Sequence, residues 1–452
     1  MGLAALVTIL LLGLGLRVDN AWRGRAPVYD AAAYARIAAN LDEGRGFTAG
    51  RSATQPSSNY SPGLPLLVAG AYEVTGGPHE RLARVVLALI GSLSLLFAYL
   101  IGRRLSGPAA GLIGAAAVAI YPALLEYQGM LMSEPLAAAL LSGAVLAMLW
   151  AGDARHTAAT SGSCRGEGGL RAGGYVRSRL PSPRHPLVRW LLPGALLGAL
   201  AMVRPEYLGV AVLLGAVVLG SGIRDGWRAA LAQAAILLAG AILVVAPWTV
   251  RNAAALDRFV PISTGAGQVL FAGTYLPSGG DPERVGEEVV AHHPELFGPA
   301  DARRLRLEQI LARLAAHRYP DLETGQALSR MGREQLWDDI TEQPLEYAGF
   351  VATKIGRIWS HGPRDVMRQP IWEALHWALI AFGLLGLVVL AWRRRWEALL
   401  LAAVFVSITA LSALLVASPR RVLVMVPLVA PLAGVGAVWL WAVLRPDSLG
   451  RP

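Results

Sequence analysis

The chain is almost without cysteine and lysine. Cys164 is its one cysteine, which excludes an intramolecular disulfide and a thiolate metal cluster. Lys354 is its only lysine, so nearly all of the 41 basic residues are arginine. That bias fits a GC-rich genome and weakens any inference from arginine to phosphate. Charge of either sign is scarce, at 16% of residues; a soluble domain carries about a quarter. Among the 8 histidines no pair has ligand spacing, and His292-His293 sits in a polar stretch that reads as solvated. The first apolar run, 1–16, lacks the basic n-region of a cleaved signal peptide, and it reads as a retained helix. It begins abruptly, as expected of a start placed slightly downstream of the true one.

What the chain has in quantity is apolar sequence, 54% of its 452 residues. Long apolar runs recur from end to end, the mark of a polytopic membrane protein. The spans are expected at 1–16, 81–101, 108–125, 133–150, 187–203, 207–220, 229–250, 370–392, 396–416 and 422–444, about ten in all. The fold class is therefore all-α, with juxtamembrane helices and a small helical cap. If the spans alternate, Arg103-Arg104, the arginines of 151–186, Arg224, Arg228, Arg393-Arg394-Arg395 and Arg445 share one side. The positive-inside rule makes that side the cytoplasm. The formal net charge of +10 is thus read as membrane orientation and not as nucleic-acid binding. Residues 151–186 are rich in Gly, Ser and Arg and read as a flexible cytoplasmic loop.

Three regions follow: an N-terminal transmembrane module at 1–250 with a first outer loop at 17–80, an outer helical region at 251–369, and C-terminal helices at 370–452. In the outer region 301–318 is amphipathic, with Leu305, Ile310, Leu311 and Leu314 on one side. Residues 333–361 continue the cap through Leu336, Ile340, Phe350, Ile355 and Trp359.

The first outer loop organises the rest. Asp30, Tyr34, Ile37, Ala38 and Leu41 fall on one helix face, a single carboxylate among apolar residues. Gly44 and Gly46 break that helix, and Ser61-Pro62-Gly63-Leu64-Pro65 turns the chain back to the bilayer. Two readings of Asp30 stand side by side. It is a general base beside an apolar interface, or it is the N-cap of a helix beginning at Ala31. Glu134 likewise suits either a site or the positive start of a helix. Asp30, Tyr60, Glu126, Glu134, Arg204, Glu206, Arg251, Asn252, Lys354, His361, Arg420 and Arg421 all fall at outer span ends. Arg251 and Arg420-Arg421 interrupt apolar runs on the side the positive-inside rule disfavours. Arginine there suits an anionic headgroup, above all a phosphate.

The loop pattern D-x-x-x-Y-x-x-x-A-x-x-L-x-x-G-x-G-F, from Asp30 to Phe47, resembles the first outer loop of C-type (GT-C) membrane glycosyltransferases. SPGLPLL is similar to their re-entry turn. MSEPL, MVRPEYL, APWTVRNAAALDRFVPISTGAGQVLFAGT, ITEQPLEYAGFVATKIGRIW and SPRRVLVMVPLVAPLAG follow in order. They are similar to marks of the bacterial dolichyl-phosphate-mannose–protein mannosyltransferase and aminoarabinose transferase group. The resemblance implies transfer of a hexose or pentose from a polyprenyl-phosphate donor to a protein, lipid or glycan acceptor. The implied reaction is inverting and is expected on the outer face of a bacterial plasma membrane. It implies Asp30 as the base; Glu134 is placed in the catalytic set with it, to orient the acceptor or the loop. Ala31 stands where family members often carry a second acid, Ser61 where some carry a lysine, and Arg420-Arg421 where Arg-Tyr is commoner. The donor-phosphate contacts are therefore expected at Arg204, Arg251, Arg420 and Arg421. Acceptor or loop positioning falls to Tyr34, Tyr60, Lys354 and His361. No metal or other cofactor is expected if arginines take up the phosphate charge. A carrier or flippase of lipid-linked sugars is the alternative; it would place polar residues through the middle of its spans or show paired half-sequences. Neither is present.

Overall fold

A computed structural model of the chain describes residues 2–50, 56–163, 187–360 and 362–445. Among them the regular elements are helices. In chain order the α-helices are α1 (Gly2–Arg23), α2 (Tyr29–Asp42), α3 (Gly63–Thr75), α4 (Glu80–Ser106), α5 (Pro108–Ile120), α6 (Pro122–Gln128), α7 (Glu134–Ser163), α8 (Leu191–Val203) and α9 (Tyr207–Leu256). They continue as α10 (Ala266–Thr274), α11 (Val285–His292), α12 (Asp301–Arg304), α13 (Leu307–Arg318), α14 (Thr324–Glu342), α15 (Pro344–Ser360), α16 (Pro370–Trp392), α17 (Trp396–Leu414) and α18 (Arg420–Leu444).

Seven described helices are long and apolar enough to cross a membrane: α1, α4, the first part of α7, the second part of α9, α16, α17 and α18. α5 and α6 pass the same test together but are bent by 54°. Val188–Val203 and Tyr207–Ile223 are shorter apolar helices. All ten expected segments are present as helices, although these last two fall short of the ~20 residues a full crossing takes. The protein is an all-α, multi-pass membrane protein. α7 and α18 form its centre, with 89% and 83% of their apolar windows buried, whereas α1 lies at the edge with 17%.

Small residues set the close crossings. A Cβ on Gly194 or Gly198 of α8 would collide with the carbonyls of Leu237 and Ala241 on α9. The two backbones therefore touch, as at other small-residue helix contacts in membranes. α9 is broken at Gly226, whose φ of 153° suits glycine alone. That break separates the two spans expected on either side of it. The stretch expected as a loop at 151–186 begins as helix, because α7 runs on to Ser163; 164–186 lies outside the described residues.

α10 to α14 form the cap over one end of the bundle, with Phe271, Tyr275, Val285, Val289, Ile310, Leu311, Leu314, Leu328 and Met331 as its core. The expected helix at 301–318 is interrupted between α12 and α13, so Leu305 is only partly buried. The expected continuation at 333–361 is likewise two helices, parted at Gln343-Pro344, because proline disfavours a helical residue before it. α15 buries Tyr347, Phe350, Lys354 and Ile358, while Ile340 and Ile355 are exposed. The apolar stripe is thus displaced from the one expected, and a lysine lies within it.

Candidate active site

Proline-marked turns build the site end of the bundle. Pro62 precedes α3, Pro135 sits in the first turn of α7, Pro205 lies between α8 and α9, and Pro419 precedes α18. A proline there has no helical N–H to lose and starts the helix at a fixed φ. The starts of α7, α9 and α18 meet in one place, and that of α2 joins them there. Each helix start carries partial positive charge. Three of the four bear an acid in or beside the first turn: Asp30, Glu134 and Glu206.

Those acids alternate with three arginines. The fully buried Glu134 accepts, through one oxygen, from Arg204 Nη2 at 2.8 Å and Arg420 Nε at 2.7 Å. Arg204 also donates to Ser133 Oγ at 3.1 Å and lies 3.7 Å from Glu206. Glu206 accepts from Arg421 Nη1 at 2.7 Å. Arg420 Nη1 reaches to 3.8 Å from Asp30 Oδ2 and its guanidinium faces the Tyr127 ring. The chain Asp30–Arg420–Glu134–Arg204–Glu206–Arg421 closes on itself, since Arg420 and Arg421 are neighbours in sequence. Three positive charges meet three negative ones. Burial opposes charge on Glu206, but Arg421 and Arg204 outweigh it and hold its carboxyl below the usual range.

Asp30 is the open member, with its side chain 48% exposed. It does not cap α2. The N-cap is Val28, with no side-chain cap bond, and Asp30 lies inside the first turn. Tyr29 before it has φ of 50°, a left-handed conformation that is costly for a tyrosine. The N-cap reading of Asp30 is thereby corrected: the helix begins earlier than Ala31 and is entered through a strained residue. One turn on, Tyr34 meets Tyr60 edge-on at 5.8 Å between ring centroids. Burial, with Asp30 adding to it, pushes the Tyr34 phenol up. The break after α2 is as expected, with Gly44 and Gly46 both left-handed. Buried Asn40 holds the turn by donating to Thr48 and accepting from Arg45.

Two of the other expected residues stand apart from this ring. Arg251 stacks on Trp248 and Phe47 and donates to the Ser57 and Phe47 carbonyls, so it fastens the first loop to α9. Lys354 is buried under the cap, donating to Gly273 O at 2.5 Å and Leu415 O at 2.7 Å. His361 lies outside the described residues. Glu126 is taken by Arg364 at 2.5 Å. Glu206 was expected at an outer span end but was given no role in the site. The Arg-Pro-Glu step between two apolar runs is the signal that could have assigned it to the ring. A cavity of about 980 Å³ opens beside the first loop, lined by Asn59, Arg258, Thr264, Ser329, Arg330 and Arg333 among others. Thr264 bonds to Ser58 and Asn59, which makes the loop one wall of that cavity.

No family model matches the chain, and no curated protein matches it in sequence. Solved structures do. The oligosaccharyltransferase AglB from Archaeoglobus fulgidus, in complex with an inhibitory peptide and a dolichol-phosphate, matches at TM-score 0.57 and 15% identity over 100% of this chain. The apo form of the Archaeoglobus fulgidus oligosaccharyltransferase matches at TM-score 0.58 and 16% identity over 99% of this chain. The chain has the GT-C fold. It spans about half the length of those archaeal proteins, 52% and 51%. ArnT from Cupriavidus metallidurans, bound to undecaprenyl phosphate, is a more remote likeness at TM-score 0.43 and 15% identity over 98% of this chain and 79% of its own. Within the GT-C fold of this chain, the charged ring lies where four helix starts converge on the first loop.

Proposed function

We propose that this protein is an integral-membrane glycosyltransferase. It moves a sugar from a polyprenyl-phosphate donor to an acceptor hydroxyl on the outer face of a bacterial plasma membrane. The reading rests on the GT-C fold, on the motif resemblance, and on one observation above all. Arg420 connects a half-exposed carboxylate, Asp30, to a fully buried one, Glu134. A base that an acceptor can reach therefore sits beside a guanidinium that a leaving phosphate can use.

Asp30 takes the proton of the acceptor hydroxyl. The freed oxygen forms a bond to the anomeric carbon from the side opposite the phosphate. The carbon–oxygen bond to the phosphate breaks, its electron pair leaves on the phosphate, and configuration inverts. Arg420 receives that charge with its two Nη groups, neither of which is committed to a hydrogen bond within the described residues. Arg204 and Arg421, each held by Glu206, back it from the buried side. Four helix starts add to the same field. Such fixed donors act where charge develops and need no rearrangement during the reaction. Arg251 acts through the loop it fastens. The acceptor approaches past Tyr60 from the cavity beside the first loop, whose hydroxyl, amide and guanidinium lining suits a polar chain.

Asp30→Asn tests this reading. Asparagine keeps the shape but takes no proton. Sugar transfer in membranes should fall by about 10²–10⁴-fold, while polyprenyl-phosphate binding, measured separately, is retained. Wild-type turnover in the variant would remove Asp30 from the mechanism.

A further inference from the structure

The single lysine of the chain occupies an unusual position. Lys354 is 1% exposed and lies on α15, under the cap. Its Nζ donates to the carbonyl of Gly273, near the end of α10, and to that of Leu415, just past the end of α17. Its ammonium also faces the Phe350 ring at 4.9 Å. Gly280 covers its stem, and a Cβ there would collide with Lys354 Cγ. Leu415 opens the short turn at 415–419 that leads into α18, and Arg421 reaches back to the Val416 carbonyl at 3.2 Å. The turn that delivers Arg420 and Arg421 is thus held at one end by Lys354 and at the other by Arg421 itself.

Resting on the donor reading above, we propose that Lys354 is a positioning residue for the donor phosphate. It fixes the turn before Arg420-Arg421, and it lends the balanced ring one further positive charge when the phosphate is bound. The ring alone carries three charges of each sign, so an incoming anion meets no net attraction from it. Among the described residues Lys354 bonds to two carbonyls and pairs with no carboxylate. α10 brings no charge to its surroundings, nor does the end of α17. Asp281, next to Gly280, is taken by Arg357 at 2.8 Å, and Arg421 is taken by Glu206.

Burial, with Arg421 adding to it, lowers the Lys354 ammonium to about 7. An anion bound at the neighbouring arginines would offset that penalty and raise it again. Binding of the phosphate and uptake of a proton at Lys354 are then one coupled event.

The experiment uses the full-length protein in nanodiscs, with undecaprenyl phosphate as the probe. Wild-type affinity is expected to weaken as pH rises above about 7, at a limit of about tenfold per pH unit for one linked proton. Lys354→Arg, which stays charged, should bind with a flat profile over the same range. Lys354→Met should bind at least about tenfold more weakly below pH 7, again with a flat profile. Because the chain has one lysine, a ¹³Cε-lysine label gives one side-chain signal. Its titration in the wild type should move upward when the lipid phosphate is added. Hydrogen exchange at 415–421 should speed up in Lys354→Met and return to normal in Lys354→Arg.

The proposal is overturned if the Lys354→Arg profile keeps the wild-type slope, if Lys354→Met binds as the wild type does, or if the lysine signal ignores the lipid. If the wild type binds no lipid phosphate at any pH, the donor reading fails and the phosphate part of this proposal fails with it. Faster exchange in Lys354→Met would then still establish the positioning of the turn, and unchanged exchange would overturn that too.

Discussion

Glu134 shows how far single residues could be read. The sequence places it at a helix start, where an acid needs no further reason. Only the fold shows that it is fully buried and that two arginines from α18 and the α8–α9 link share its Oε1. Glu134→Gln keeps the size and one acceptor oxygen but removes the charge that holds both. Two guanidiniums would then face each other with their outer partners, Asp30 for Arg420 and Ser133 and Glu206 for Arg204. We expect a loss of roughly 2–4 kcal/mol of stability in thermal unfolding, with a smaller fall in turnover than Asp30→Asn shows. A Glu134→Gln protein of wild-type stability would argue that the ring is not what holds these helix starts together. Asp30 itself was legible through the face it shares with Tyr34, Ile37, Ala38 and Leu41. Its freedom from capping was not, because the start of α2 depends on a strained Tyr29 that no propensity favours. Arg251 was legible as an arginine out of place at a span end, but what it grips was not. Its partners, Phe47 and Ser57, lie about two hundred residues away in the chain. Arg251→Ala should therefore loosen the first loop, seen as faster proteolysis or hydrogen exchange near 47–58, before it alters the intrinsic affinity for a lipid phosphate. An unchanged loop with lost phosphate affinity would put Arg251 in the donor site after all.

At the scale of elements, apolar runs located the spans, and they failed where a charged side chain serves a neighbouring helix. The first span was expected to end at 16, which put Arg17 in the first outer loop. Arg17 is instead 1% exposed and donates to Val118 O at 2.9 Å and Ala119 O at 3.5 Å at the end of α5. Pro122 explains the need. Without an N–H it cannot satisfy Val118, and the chain bends by 54° there. Arg84 does the same service for α1, donating to Ala21, Gly24 and Arg25 carbonyls. In lipid an orphaned carbonyl has no water to turn to. Arg17→Met should fill the space yet leave Val118 unsatisfied, at a cost of roughly 1–3 kcal/mol, measured as lowered thermal stability in nanodiscs. A neutral result would mean that the bend is satisfied in some other way. The cap helices show the converse failure. Their amphipathic pattern is real, but short helices parted by Arg306 and Gln343 present different faces from the long ones expected, so Ile340 and Ile355 point outward.

For the whole molecule the remaining question is which end faces the cytoplasm. The two ends differ in kind. At one, the four helix starts and the first loop gather the charged ring, and the cap sits on them, tied down by Lys354. At the other, the end of α4 meets the start of α17: Arg104 lies 3.7 Å from Glu397, and Arg395 donates to Glu397 at 2.6 Å and to Leu105 O at 2.7 Å. α7 starts at the ring and α8 finishes there, so the ends of α7 and α8 that flank 164–186 belong to the second, arginine-rich end. Gly279 belongs to the first, since its neighbour Gly280 packs on Lys354. Short loops rich in Lys and Arg stay on the cytoplasmic side, and acids contribute little to that choice. A reporter fused within 164–186 should therefore be cytoplasmic, and one at Gly279 should be outside. The charged ring and its cap would then face the exterior, as the proposed function requires. Reporters on the same side would contradict the arrangement of the helices itself. Opposite sides but reversed would keep the fold and overturn the outer-face reading, moving the donor and the acceptor to the cytoplasm.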